Sequence, residues 1–280
     1  MIWLLSSIIS MILFTILFLC YNKLKSNIPI SIYMFYISII SGITILFLNF
    51  KIYFSINDVL LLVIAGILSW AGTYFYNKAM FNEKNLGFIE AIFSIRIPFI
   101  YFYSIFLFNG EFSLYKLFSL LLMIIGNLFV NGFEFISLKK KRTNNKLAIR
   151  DSFISSIATA GMTLICKHLM NRSISPESIA AIILIITSFF YFISNFVHKK
   201  NWKITKNYIP IIIIAIITTS IGNILMFQSY NYAPNLSYVT CIISFRMVLL
   251  YIISIILKYD NYNPKKAFGI ILCFISICSF

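Results

Sequence analysis

The sequence predicts an all-α integral membrane protein with ten transmembrane helices, arranged as two inverted five-helix repeats. Three observations lead to this prediction. Of the 280 residues, 60% are hydrophobic and only 11% are charged, which leaves too little polar surface for a soluble domain. Apolar runs of about 20 residues, the length that crosses a bilayer, recur along the whole chain. The second half of the chain also repeats the spacing of rare residues in the first half.

Turn-forming residues divide the apolar runs into ten segments. Asn, Gly and Pro stand at the breaks, for example at 26–29 and 233–235. The first run is too long, and wrongly flanked, for a cleaved signal peptide, so we expect a retained helix. The predicted helices are 2–21, 29–49, 58–79, 86–108, 113–134, 151–171, 177–198, 208–230, 235–257 and 265–280.

A basic segment divides the chain almost in half. Residues 139–150 hold the longest polar stretch, which includes three consecutive lysines and an arginine. We therefore expect a first five-helix repeat over 1–138, a linker loop over 139–150 and a second repeat over 151–280.

The formal net charge of +15 is explained by the membrane rather than by nucleic acid. Most lysines and arginines lie in the loops that follow odd-numbered helices, where they would contact anionic lipid headgroups. A nucleic-acid partner is therefore not expected. The positive-inside rule places these loops in the cytoplasm and both termini outside.

The chain has few of the side chains that enzymes and metal sites use. The five cysteines lie in apolar runs without CxxC spacing, and only eight acids and two histidines are present. These residues form no paired-carboxylate or HExxH motif. We expect no enzyme activity, no metal and no cofactor.

A shift of 150 positions places residues 58–130 on residues 208–280. Coincidences of isoleucine mean little in such a chain, but those of Gly, Asn, Arg and Lys carry weight. The coinciding pairs are Gly72 and Gly222, Asn85-Leu86 and Asn235-Leu236, Ser94 and Ser244, Arg96 and Arg246, Tyr101 and Tyr251, Ser104 and Ser254, and Lys116 and Lys266. Because five helices per half is an odd number, the halves have opposite orientations, as in many secondary transporters. Duplication for structural bulk is the alternative.

The chain resembles the drug/metabolite transporter superfamily, in its ten-helix EamA-like branch. The resemblance rests on the five-plus-five organisation and on a local pattern in the first half. That pattern comprises Gly72, Tyr76, Ala79-Met80, Asn85-Leu86-Gly87-Phe88, Pro98, Gly110-Glu111 and Gly126. The second half departs from it, with Val248 in place of Pro98. Family members often have cytoplasmic termini, contrary to the loop charge, so the orientation stays open.

Arg96 and Arg246 are the candidate substrate-binding residues. They lie at matching repeat positions inside predicted helices, where a charged side chain costs about 2.5–3.5 kcal/mol even on the lenient insertion scale. A guanidinium group suits carboxylate or phosphate. The resemblance adds that basic residues in these two helices bind substrate in phosphate-translocating relatives. The alternative is a structural role, in which each arginine pins helices together.

The positions of further residues on the predicted helices suggest roles in the substrate pocket, in proton coupling and in helix packing. Helical spacing puts Ile89, Phe93, Ile100 and Tyr103 on the Arg96 face. We expect the substrate pocket to include Tyr103, Tyr76, Asn77, Trp70 and Gln228. Glu90, whose repeat partner is Thr240, is the candidate for proton coupling, with an interfacial role as the alternative. Gly72, Gly222 and Pro98 are packing or hinge candidates.

These observations predict a secondary transporter in the cell membrane, with a bacterial cytoplasmic membrane as the expected location. It would move a small anionic or zwitterionic metabolite, such as an amino acid or organic anion, through a central cavity by alternating access. Its partners would be this solute, the lipid bilayer, and protons or a counter-solute. An exporter or flippase of hydrophobic or amphipathic compounds is the alternative. A membrane-embedded scaffold is a further rival, but it has no need of symmetric arginines.

Overall fold

All regular secondary structure among the described residues is helical, and no strand occurs there. A computed structural model describes residues 2–24, 28–48, 54–82, 89, 92–130, 145–199, 202, 204–258 and 261–280. Within these ranges ten helices follow one another, as the sequence predicted. They are α1 (Ile2–Leu24), α2 (Ile30–Leu48), α3 (Ile56–Asn82), α4 (Ile92–Phe108), α5 (Leu114–Val130), α6 (Asn145–Asn171), α7 (Pro176–Val197), α8 (Ile209–Tyr232), α9 (Leu236–Ile256) and α10 (Pro264–Cys278).

Seven of these helices are long and apolar enough to cross a membrane, and α4 and α5 are shorter apolar helices. Large apolar side chains are exposed on their outer faces, as Ile213, Ile217 and Ile221 of α8 are. Exposed apolar stripes of this extent would be unfavourable in water and are suited to lipid.

Capping residues fix where several helices begin. The Asn235 side chain accepts a hydrogen bond from the Ser237 N–H at the start of α9 (3.1 Å). Asn263 does the same for the Lys265 N–H at the start of α10 (2.9 Å). At α3, the Asp58 carboxylate accepts from the Ser55 N–H (3.0 Å). Each side chain satisfies an N–H that has no partner within its own helix.

The chain divides into two compact units that do not coincide with its sequence halves. One unit comprises Met1–Trp70 and Gly161–Ala233, and the other comprises Ala71–Ala160 and Pro234–Phe280. Each unit therefore takes helices from both halves. Helices α3 and α6 contribute residues to both units.

In the first unit, α1 packs against α8 and α2 packs against α7. The Ser10 hydroxyl donates to the Gly222 carbonyl (2.9 Å) across the first pair. The Asn195 amide donates to the Ser31 carbonyl (3.0 Å) across the second pair. Polar side chains buried in these helices are thus bonded to backbone carbonyls, which stabilises interhelical contacts in lipid.

In the second unit, α5 packs against α10, and the first part of α9 packs against α4. The backbones of α5 and α10 approach closely at Gly126 and Gly269, and the Ser276 hydroxyl donates to the Ser119 carbonyl (2.6 Å). Small residues allow this approach because they have little or no side chain.

Some contacts recur at positions that the sequence repeat relates. The Ser155 hydroxyl donates to the Gly72 carbonyl (2.6 Å), as Ser10 donates to Gly222. The Tyr101 hydroxyl accepts from the Ser113 N–H (2.8 Å), and the Tyr251 hydroxyl accepts from the Asn263 N–H (3.2 Å). The matched residues Gly72 and Gly222, and likewise Tyr101 and Tyr251, therefore make matching local contacts.

Helix α6 begins earlier than the sequence suggested. Residues 145–150, expected to belong to the linker loop, form its first turns, whereas residues 139–144 lie outside the described residues. Ala148 is fully buried and packs with Ala79 and Ile89. Of residues 146–150 only Ala148 is buried, and the other four are exposed. The packing of Ala148 is therefore the tertiary contact that supports this first part of the helix.

Candidate functional site

Each candidate arginine follows a break in its helix. The turn at Ile95 precedes Arg96 in α4, and the turn at Phe245 precedes Arg246 in α9. The N–H of Ile95 donates to the Ile92 carbonyl (3.2 Å), and that of Phe245 donates to the Ile242 carbonyl (3.1 Å), so both turns are tighter than an α-helix. Arg246 stands at the centre of α9.

Pro98 accounts for only one of the two breaks. A proline has no N–H, so Pro98 cannot donate to the Ser94 carbonyl one turn earlier. The matching residue, Val248, has an N–H, but it donates to the Phe245 carbonyl three residues back (2.9 Å). The same local geometry thus arises with and without proline.

Arg96 is held on an aromatic stack. Its side chain is buried, and the guanidinium carbon lies 3.7 Å from the ring centroid of Phe93. The Phe93 ring in turn lies 4.6 Å from the ring of Tyr76, centroid to centroid. A cation over a ring face, away from water, contributes up to about 2 kcal/mol. The structure therefore brings together three residues that the sequence had placed on two helices.

Arg246 differs from Arg96 in its burial and in lacking a ring contact among the described residues. It is half-buried, and its Nε is buried without a hydrogen-bond partner in that part of the chain. Its guanidinium group also makes no ion pair or ring contact within those ranges. A cation inside the membrane that has no protein partner is a candidate for a functional site, because burying it there is costly.

The other proposed pocket residues belong to both units. In the first unit, Trp70 packs against Phe190 (5.4 Å between ring centroids). There, too, the Gln228 amide donates to Glu177 (2.8 Å). In the second unit, Asn77 is half-buried. Glu90, the candidate for proton coupling, lies outside the described residues.

Tyr103 lies on the exposed side of α4. Its side chain is 48% exposed and stacks beside Phe99, which is also exposed. The buried stripe of this helix consists of Ile97, Ile100, Tyr101 and Ser104. Arg96 lies at the edge of that stripe, and Tyr103 lies on the far side of Arg96 from it. Helical spacing alone did not reveal that Tyr103 is exposed while Arg96 is buried.

Gly72 and Gly222 both lie at close helix contacts. A Cβ atom at Gly72 would lie 2.7 Å from the Thr159 hydroxyl oxygen, and one at Gly222 would lie 3.0 Å from the Phe14 ring. Of the two roles considered for these glycines, packing has this direct support.

We expect Gly72→Ala to lower the melting temperature of the purified protein, because the new methyl group meets Thr159. The variant Gly72→Ala/Thr159→Ala should recover most of the loss, since the obstructing hydroxyl is gone. Differential scanning fluorimetry in detergent measures both. A hinge role predicts instead that Gly72→Ala impairs transport at unchanged stability, and that the second substitution restores nothing.

The sequence-based reasoning missed the buried carboxylate of Asp151, and it expected Lys167 only to reach the lipid headgroups. Asp151 of α6 is fully buried, and its carboxylate accepts from Arg150 Nε (3.1 Å) and Nη2 (2.9 Å). Lys78 Nζ of α3 lies 3.6 Å from its other oxygen. Lys167 donates to the carbonyls of Tyr230 (3.1 Å) and Asn231 (2.8 Å) at the end of α8. A carboxylate at the start of an apolar run was the available signal for Asp151.

Seven helices long and apolar enough to cross a membrane indicate a multi-pass helical membrane protein. Comparison with known proteins then gives the family that it resembles. Residues 151–280 match the model of the EamA-like transporter family. The resemblance drawn from the sequence is thereby confirmed over these residues. The match suggests a membrane transporter of the drug/metabolite type.

Solved structures share the fold. Among 28 matching chains, one described as "Crystal structure of protein" superimposes with a TM-score of 0.83. The match covers 99% of this chain and 97% of that chain at 11% sequence identity. At this identity the likeness concerns the fold alone. No curated protein matches the sequence.

Proposed function

We propose that the protein is a secondary transporter that moves a small anionic or zwitterionic metabolite, such as an amino acid or organic anion, by alternating access. The observation that carries the proposal is the pair Arg96 and Arg246. Both stand at matching repeat positions in apolar helices, directly after a helix break. Guanidinium groups in a site shielded from water bind carboxylate or phosphate through charge-assisted hydrogen bonds.

The inverted repeat is part of this proposal. Five helices per sequence half, matching contacts at Gly72 and Gly222, and matching helix breaks support it. In inverted-repeat transporters the substrate site lies near the bilayer midplane, at discontinuous helices. The solute would cross through a central cavity formed by the two repeats, and the bacterial cytoplasmic membrane is the proposed location.

Export or flipping of hydrophobic or amphipathic compounds is the second candidate. The contact between Tyr76 and Phe93 favours it, because aromatic walls suit apolar ligands. Under this function the arginines would be structural. Coupling to protons through Glu90, or to a counter-solute, is a further proposal that either function can accommodate.

A ligand screen tests the choice between these functions. Purified protein is heated with anionic, zwitterionic, cationic and neutral metabolites, in the wild type and in Arg246→Gln. A ligand at 100 times its dissociation constant adds about 2.7 kcal/mol of stability, which is readily measured. We expect stabilisation by an anion or zwitterion that is lost in the variant.

The opposite pattern would reject the anionic substrate. Stabilisation only by apolar or cationic compounds, unchanged in Arg246→Gln, would make the arginines structural. The hydrophobic-compound exporter would then be the better account.

A further inference from the structure

The two arginines occupy unequal surroundings although the sequence repeat makes them equivalent. The guanidinium group of Arg96 lies on the ring of Phe93, at 3.7 Å. The residue that matches Phe93 in the second half is Ile243, which has no ring to offer Arg246. Arg96 is also only 8% exposed, whereas Arg246 is half-buried. The sequence repeat thus keeps the charge at both positions but keeps the aromatic support at only one.

The Nε–H of Arg246 is a buried donor without an acceptor in the described parts of the chain. Such a donor costs about 1–3 kcal/mol, and more when the group is charged. Native proteins rarely retain one unless a ligand, an ion or water supplies the missing acceptor. The acceptors that best match a guanidinium edge are the oxygens of a carboxylate or phosphate.

We propose that the two arginines have different roles: Arg246 binds the anionic group of the substrate directly, whereas Arg96 is fixed by Phe93 and supplies stationary positive charge. Phe93 is then a positioning residue for Arg96. This inference rests on the proposed function, because it presupposes an anionic or zwitterionic substrate.

The role of Phe93 follows from its geometry. The guanidinium carbon of Arg96 lies over the Phe93 ring, 3.7 Å from its centroid, and the Tyr76 ring packs against Phe93 at 4.6 Å between centroids. A flat support of this kind restricts the rotamers of Arg96 without neutralising its charge. Phe93→Leu removes the support, and Phe93→Tyr preserves it.

Binding of acetate, inorganic phosphate and glycine to the purified full chain tests the division of roles. Apparent dissociation constants come from the dependence of melting temperature on ligand concentration. We expect Arg246→Gln to weaken binding at least 100-fold, and Arg96→Gln to weaken it much less. Phe93→Leu should weaken binding by no more than Arg96→Gln does, because Phe93 acts through Arg96. Phe93→Tyr should restore it.

Chemical labelling gives a readout that a purely structural role would not move. Phenylglyoxal reacts with accessible guanidinium groups, and peptide mass spectrometry locates the adducts. We expect Arg246 to react faster than Arg96 and to be protected by the bound anion. In Phe93→Leu, Arg96 should become more reactive, and in Phe93→Tyr it should not.

Three results would overturn the inference, and they are distinguishable. If no acid or zwitterion stabilises the wild type, the proposed function itself fails. If Arg96→Gln abolishes binding while Arg246→Gln preserves it, the function stands but the roles are reversed. If Glu90→Gln, without any ligand, raises the reactivity of Arg246 to phenylglyoxal, then Glu90 and not a substrate is the acceptor for Arg246.

Discussion

The double variant Lys78→Met/Arg150→Met is expected to lower the free energy of unfolding by about 3–5 kcal/mol. Asp151 is fully buried, and these two side chains are the cations within ion-pair distance of it among the described residues. Removing both leaves an uncompensated charge away from water. Chemical or thermal unfolding in detergent, followed by intrinsic fluorescence, measures the loss.

Two controls make this prediction specific. Lys206→Met/Lys265→Met changes the net charge equally at two exposed lysines, and should shift stability by less than about 1 kcal/mol. Adding Asp151→Asn to the first double variant removes the buried charge and should recover most of the stability. A first double variant as stable as the lysine control would mean that Asp151 does not depend on its cations.

Gly126→Ala and Gly269→Ala are each expected to destabilise the protein by about 1–3 kcal/mol or more, the range for overpacking. A Cβ atom at Gly126 would lie 2.5 Å from Cys273 Sγ and 2.8 Å from the Gly269 carbonyl oxygen. One at Gly269 would lie 2.7 Å from the Gly126 carbonyl oxygen. Because backbone atoms block both positions, only separation of α5 from α10 can relieve the contact.

Gly161→Ala is the matched control for these two variants. Its Cβ atom would meet only the end of the Leu68 side chain, at 3.2 Å. That contact can relax, and alanine is the better helix former by about 1 kcal/mol. We expect Gly161→Ala to be neutral or stabilising in the same melting experiment. Equal melting temperatures for all three variants would contradict the close packing of α5 and α10.

Most of the fold was predictable because length and apolarity are strict requirements for crossing a bilayer. The prediction of a helix over 177–198 and the observed α7 (Pro176–Val197) agree closely. Proline at the first helical position and a capping Ser175 mark that start in the sequence. Where such markers are absent, as at the start of α6, burial of Ala148 against another helix decided the boundary, and a single sequence does not display it.

The sequence suggested candidate residues for the site but not their contacts. Spacing placed Phe93 on the Arg96 face, and in the structure the two side chains are in contact. The break at Phe245 was hidden because Val248, unlike Pro98, leaves no trace in the sequence. The contact of Tyr76 with Phe93 joins two helices, and no periodicity within one helix specifies its partner on another. The same limit applies to the Lys78–Asp151 pair.

The central claim, transport of an anionic or zwitterionic solute by alternating access, is tested most directly by counterflow in proteoliposomes. Vesicles containing the wild type or Arg246→Gln are preloaded with the unlabelled form of the acid that best stabilises the protein, and uptake of the labelled form is followed. The account predicts a transient accumulation with the wild type that depends on preloading and is absent with the variant. Uptake that is indifferent to preloading, or equal in the two proteins, would contradict it.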